Sequence, residues 1–163
     1  MFVKQTILGL TFAMALGGAA RADEFKAAIG RENNNRCHMD VCYPFTLTSS
    51  TLISVNPDGA FYKVTYLMRE DEYRSREDGN DYDYPPVKRG KDERGTFVVF
   101  CSKTRPQLDG EALRPGDEEG VFGATELIHL EYWAACHNYI AKDGASSKLA
   151  KKLGYHLAPA SND

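Results

Sequence analysis

The side chains with the most chemical capacity in this 163-residue chain cluster toward its C-terminal part. If residues 125–142 are helical, Glu126, His129, Trp133 and His137 share one face, because steps of three and four residues stack side chains above one another. Two imidazoles and a carboxylate so placed could ligate a metal ion or exchange protons near neutral pH, which makes a small hydrolase or metal-binding protein one reading. The same residues equally describe a half-exposed helix face, with Trp133 packed and both histidines solvated. No nucleophile stands at a spacing that would use them, since Gly-x-Ser-x-Gly, His-Glu-x-x-His and phosphate-cradling glycine loops are absent from the sequence.

Cys37-His38 with Cys42, and Cys136-His137, set thiols beside imidazoles, the usual ligands of zinc. Covalent haem attachment requires a Cys-x-x-Cys-His run, and Ala134-Ala135-Cys136-His137 lacks the first cysteine. In an oxidising compartment the four cysteines are expected to form two disulfides, so neither a metal nor another cofactor is expected. Four cysteines allow three connectivities. The preferred one joins Cys37 to Cys42 across a small loop and Cys101 to Cys136 between a strand and the segment after it.

The acidic run Asp78-Gly79-Asn80-Asp81-Tyr82-Asp83 carries oxygen ligands dense enough to suggest calcium. A calcium loop of the EF type needs an acid or amide at its fifth position and glycine at its sixth; counted from Asp78 these are Tyr82 and Asp83, so the motif fails. Tyr73, Tyr82 and Tyr84 in this stretch instead suit a protein-contact surface. Cys101-Ser102-Lys103-Thr104-Arg105-Pro106 ends a strand with hydroxyls and cations, which serves an anion or an ordinary turn equally well.

The compartment is read from the start of the chain. Lys4, the apolar run from Thr6 to Ala15 and the small residues of Ala20-Arg21-Ala22 have the three-part order of a cleavable signal spanning Met1 to Ala22. Such a signal predicts a periplasmic or secreted protein, with residues 23–163 as one exported domain. The full chain has 20 basic and 23 acidic residues, and loss of Lys4 and Arg21 leaves a net charge of −5. That balance lacks the basic face that nucleic acid or anionic lipid would demand. No later stretch is apolar enough to span a bilayer.

Between Tyr43 and Val55, and again from Phe61 to Met68, β-branched and aromatic residues dominate around the turn Asn56-Pro57-Asp58-Gly59, which predicts a β-hairpin. Gly95 to Ser102 reads as a central strand because it is apolar on both faces. Residues 70–94, crowded with charge, glycine and proline, read as a long, flexible, exposed loop. Lys103 to Gly123 reads as turns with an edge strand, and Asp23 to Gly30 as a loose first helical turn. Residues 125–142 fit either a helix capped by Thr125 or a strand, and their Ala, Glu and Leu content favours the helix. A short helix follows from Ser147 to Leu153 with Ser146 as its cap. The sum is an α+β fold: one small antiparallel sheet packed by a C-terminal helix, stapled by disulfides and carrying the charged loop. It points to a non-enzymatic interaction module for an envelope or extracellular protein partner.

Overall fold

The computed structural model describes residues 24–33, 37–38, 40–74, 85–115, 124–140 and 146–155, with only the backbone described at His38, Ala124, Thr125, Glu126 and Ser146. The signal expected over 1–22 lies outside them, as do Tyr82, Tyr84 and the acidic run from Asp78 to Asp83. Along the chain the strands are β1 (Glu32–Asn33), β2 (Cys37–His38), β3 (Val41–Cys42), β4 (Phe45–Asn56), β5 (Gly59–Met68), β6 (Asp71–Glu72), β7 (Lys88–Arg89), β8 (Glu93–Cys101), β9 (Gln107–Leu108) and β10 (Glu111–Ala112). The helices α1 (Ala124–His137) and α2 (Ser146–Leu153) complete the order.

The expected hairpin is β4 with β5, closed by the Asn56–Gly59 pair. Asn56 Oδ1 accepts from the backbone N–H groups of Asp58 at 2.9 Å and Gly59 at 3.1 Å, so the turn is held by its own side chain. A Cβ on Gly59 would lie 2.2 Å from the Cys101 carbonyl oxygen, and glycine is therefore required for β8 to pass. β8 pairs along the whole of β5, and β9 takes its other side. Ala60, Tyr62, Val64 and Tyr66 share a face with Phe97, Val99 and Cys101 and turn it to the core. On the opposite face Phe61 stacks on Phe100 with ring centroids 4.3 Å apart.

The α+β class holds, but the sheet is larger than the small one expected. Six strands run in the order β1-β4-β5-β8-β9-β10, and a second sheet has the order β2-β3-β6-β7, all antiparallel. Most of the added strands are two residues long, too short to show any periodicity. β9 and β10 turn through Asp109-Gly110, whose φ values of 49° and 86° match the chemistry of a two-residue hairpin loop.

Residues 124–137 are helix rather than strand. From Leu130 to Cys136 every residue is buried, so α1 is covered all round in its second half and its apolar stripe merges into the core. The helix stops at His137, short of Lys142, because Asn138 turns the chain left-handed at φ 52°. The terminal carbonyls of a helix need outside donors. They find them in the N-terminal segment, where Lys26 N–H donates to Cys136 C=O at 2.9 Å and Ala28 N–H to Ala134 C=O at 2.8 Å. From residue 25 on this replaces the loose helical turn expected over Asp23 to Gly30: Lys26 and Ile29 bridge to His137 and Leu47, since an extended backbone presents these donors in register to the helix end. Gly30 N–H then donates to Leu47 C=O, which ties the segment to β4.

α2 turns Leu149, Ala150 and Leu153 inward and leaves Lys148, Lys151 and Lys152 exposed. It ends with Gly154 N–H on Lys151 C=O and Tyr155 N–H on Ala150 C=O, a paired closure that Gly154 permits at φ 75°. Disulfides join Cys37 to Cys42, which face each other across β2 and β3, and Cys101 to Cys136, which tie β8 to α1. Among the described residues no helix is long and apolar enough to cross a membrane.

Candidate binding site

The loop expected over residues 70–94 is anchored at both ends. β6 pairs with β7 on one side and with disulfide-held β3 on the other, and β8 already begins at Glu93. Beneath this stem lies Asp71, 1% exposed, whose carboxylate accepts from Arg69 Nε at 2.9 and 3.1 Å and from Gly90 N–H at 3.1 Å. The Arg69 guanidinium also meets Glu32 at 2.8 Å and Asp92 at 3.6 Å. A buried carboxylate is tolerable because its charge is paired and its oxygens bonded. The chain thus leaves β5, makes the clamp and enters the loop within a few residues.

Gly90 belongs to the same construction. A Cβ there would lie 2.2 Å from the Glu70 carbonyl oxygen, so Gly90→Ala must push the two stem segments apart. We expect it to cost about 1 to 3 kcal/mol in urea unfolding, the usual range for forced overpacking, and an unchanged midpoint would reject the tight approach.

Beside the clamp is an open cavity of about 210 Å³ lined by Tyr43, Met68, Arg69, Glu70, Gly90, Lys91 and Glu93. It mixes apolar surface with both signs of charge. At that volume it suits one or two side chains of a partner better than a drug-sized ligand, whose pockets are roughly 300 Å³ or more.

Of the tyrosines proposed for contact, Tyr73 is buried at 4% exposure and its N–H donates to Asp40 C=O at 2.7 Å, so it anchors the stem and is not displayed. The two helix-borne histidines stand apart. His129 is 7% exposed, and residues 129 and 137 of one continuous helix lie about 12 Å apart along its axis, too far for one metal ion. No group of three or more His, Cys, Asp or Glu able to hold a metal occurs among the described residues.

His137 is instead built into a hydroxyl chain. Its Nε2 meets the Tyr155 hydroxyl, which lies 2.8 Å from that of Tyr132, and the Tyr132 hydroxyl donates to Ser102 C=O at 3.0 Å. Trp133 and Phe25 pack against the imidazole at ring distances of 5.3 and 5.8 Å. Burial pushes both tyrosine hydroxyls above their ordinary range, so they stay protonated. Burial, reinforced by the charge of Lys103, lowers the His137 imidazole to about 4. Sequence reasoning missed Tyr132, Tyr155, Arg69 and Asp71. Tyr155 had one signal, an aromatic residue directly after the helix-stopping Gly154.

The sign of the resulting pH dependence follows from that lowered value. Between roughly 4 and the unfolded value of about 6.5, the unfolded chain binds a proton that folded His137 refuses, so stability falls as the solution is acidified through this window. We expect a loss on the order of 2 kcal/mol between pH 7 and pH 4 that the His137→Gln variant lacks. Urea unfolding at the two pH values checks it; identical losses in both proteins would reject the assignment.

No protein-family model, curated protein or solved structure matches the chain.

Proposed function

We propose that the chain is an exported, non-enzymatic binding module that presents the segment between β6 and β7 to an envelope or extracellular protein. The observation that carries this reading is the buried Arg69–Asp71–Gly90 clamp, which spends a desolvated charge pair on fixing β6 against the residues that follow β7. A scaffold that holds a loop at both ends lowers the ordering cost of binding. Two disulfides suit a domain that works in an oxidising compartment, either the periplasm or the medium, reached by cleavage after Ala22. Tyr82 and Tyr84 are the aromatic anchors of this reading, and the cavity lined by Tyr43, Met68 and Lys91 is its pocket for a partner side chain.

Replacing residues 75–84 by a short Gly-Ser linker keeps the clamp and removes the contact surface. The expected result is loss of the protein that the native chain retains from an envelope extract, with an unchanged unfolding midpoint. Tyr82→Ala and Tyr84→Ala should each weaken capture by roughly tenfold or more, as truncated aromatic anchors do. Retention of the same protein by the linker variant rejects the reading. The hydrolase or metal-binding alternative would need Glu126, His129 and His137 to act together, and residues 129 and 137 lie about 12 Å apart along α1.

A further inference from the structure

β4 forms an open edge of the six-stranded sheet. β1 covers it at Phe45 and Thr46, and Gly30 donates to Leu47 C=O; from Thr48 to Asn56 no strand pairs with its outer side among the described residues. The twelve residues of β4 contain no Asp, Glu, Lys or Arg, whereas β5 carries Lys63 and β8 carries Glu93 and Arg94. Exposed edges of monomers are normally blunted by charge or proline. Here three apolar residues stand half exposed instead: Leu52 at 47%, Ile53 at 55% and Val55 at 49%. Leu52 and Val55 lie opposite Tyr62 and Ala60, so the core-directed face of the sheet continues to this edge.

We propose that the edge from Thr48 to Val55 pairs antiparallel with the same edge of a second copy, forming a twofold dimer whose axis passes near Leu52 and Ile53. Under twofold symmetry a residue near the axis meets its own counterpart, so a charge there would face a like charge. A charge-free strand tolerates that pairing. With no charge to match an oppositely charged partner, this edge is matched in charge by its own copy, which favours self-association. Pairing fills the open ladder of backbone groups and covers Leu52, Ile53 and Val55 together. The proposal uses no residue of the loop stem and stands apart from the binding-module reading.

Sedimentation equilibrium of the disulfide-intact chain from about 1 to 100 µM tests it, a range suited to an interface at the small end of specific sizes. The native chain should shift from monomer to dimer with concentration. Ile53→Lys and Ile53→Glu should each stay monomeric, and an equimolar mixture of the two should recover the dimer. Should either variant fail to fold, amide hydrogen exchange of the native chain decides the matter, with protection of residues 48–55 rising with concentration. A native monomer at the highest concentration, whatever segment or partner covers the edge, overturns the proposal. So do variants that dimerise like the native chain, a mixture that stays monomeric, or exchange that ignores concentration.

Discussion

Asp71→Ala is expected to lower the unfolding free energy by about 3 to 5 kcal/mol, the cost of breaking a buried ion pair by removing one partner. The substitution deletes both hydrogen bonds from Arg69 Nε and strands the Gly90 N–H inside the stem. Arg69, whose side chain is only 9% exposed, keeps Glu32 and Asp92, but these are 42% and 48% exposed acids whose attraction water largely screens. Asp71→Asn keeps an oxygen that can accept from Gly90 and loses only the charge, so it should fall between Ala and the native residue. Urea unfolding measures both. Amide exchange should show the damage first at Tyr73 and Gly90, and a loss below about 1 kcal/mol for the alanine variant would mean that the clamp does not hold the stem.

The second large effect is expected at Cys101–Cys136. Replacing both residues by alanine should cost roughly 3 to 4 kcal/mol, because the bond closes a loop with a sequence separation of 35 and so restricts the unfolded chain strongly. Cys37–Cys42 has a separation of 5, and the same relation gives it about 2 kcal/mol. The contrast between the two double variants is the informative quantity. Both cysteines of the longer loop are fully buried where β8 meets α1, so their loss also loosens the packing around Tyr132 and Trp133. Equal costs for the two pairs would show that loop closure is not what the bonds contribute.

How much of this was legible along the chain depended on how local the cause was. Asn56-Pro57-Asp58-Gly59 announced its hairpin because the turn is held by bonds within four residues. Asp109-Gly110 carried an equally local signal for β9 and β10 but lay among several other turn residues that diluted it. α1 stayed ambiguous between helix and strand because its second half, buried on all sides, shows no polar face to mark its period. The extended course of residues 25–30 had no local cause at all; it follows from the unpaired carbonyls at the end of α1, more than a hundred residues away.

The site divides in the same way. Tyr73 looked like its neighbours in a charged loop, yet the pairing of β6 with β3 draws it inside. Asp71 and Arg69 looked like two more surface charges, and burial alone makes them a clamp. The sequence by itself determined an even set of cysteines, a hairpin, a central apolar strand and the short final helix, since turn chemistry, β-propensity and helix propensity act over a few residues. Only the tertiary structure decided which cysteines pair, which charge is desolvated and which histidine joins the tyrosines. Those outcomes depend on what remote segments bring against each group, because desolvation and pairing are properties of the packed neighbourhood and not of the residue.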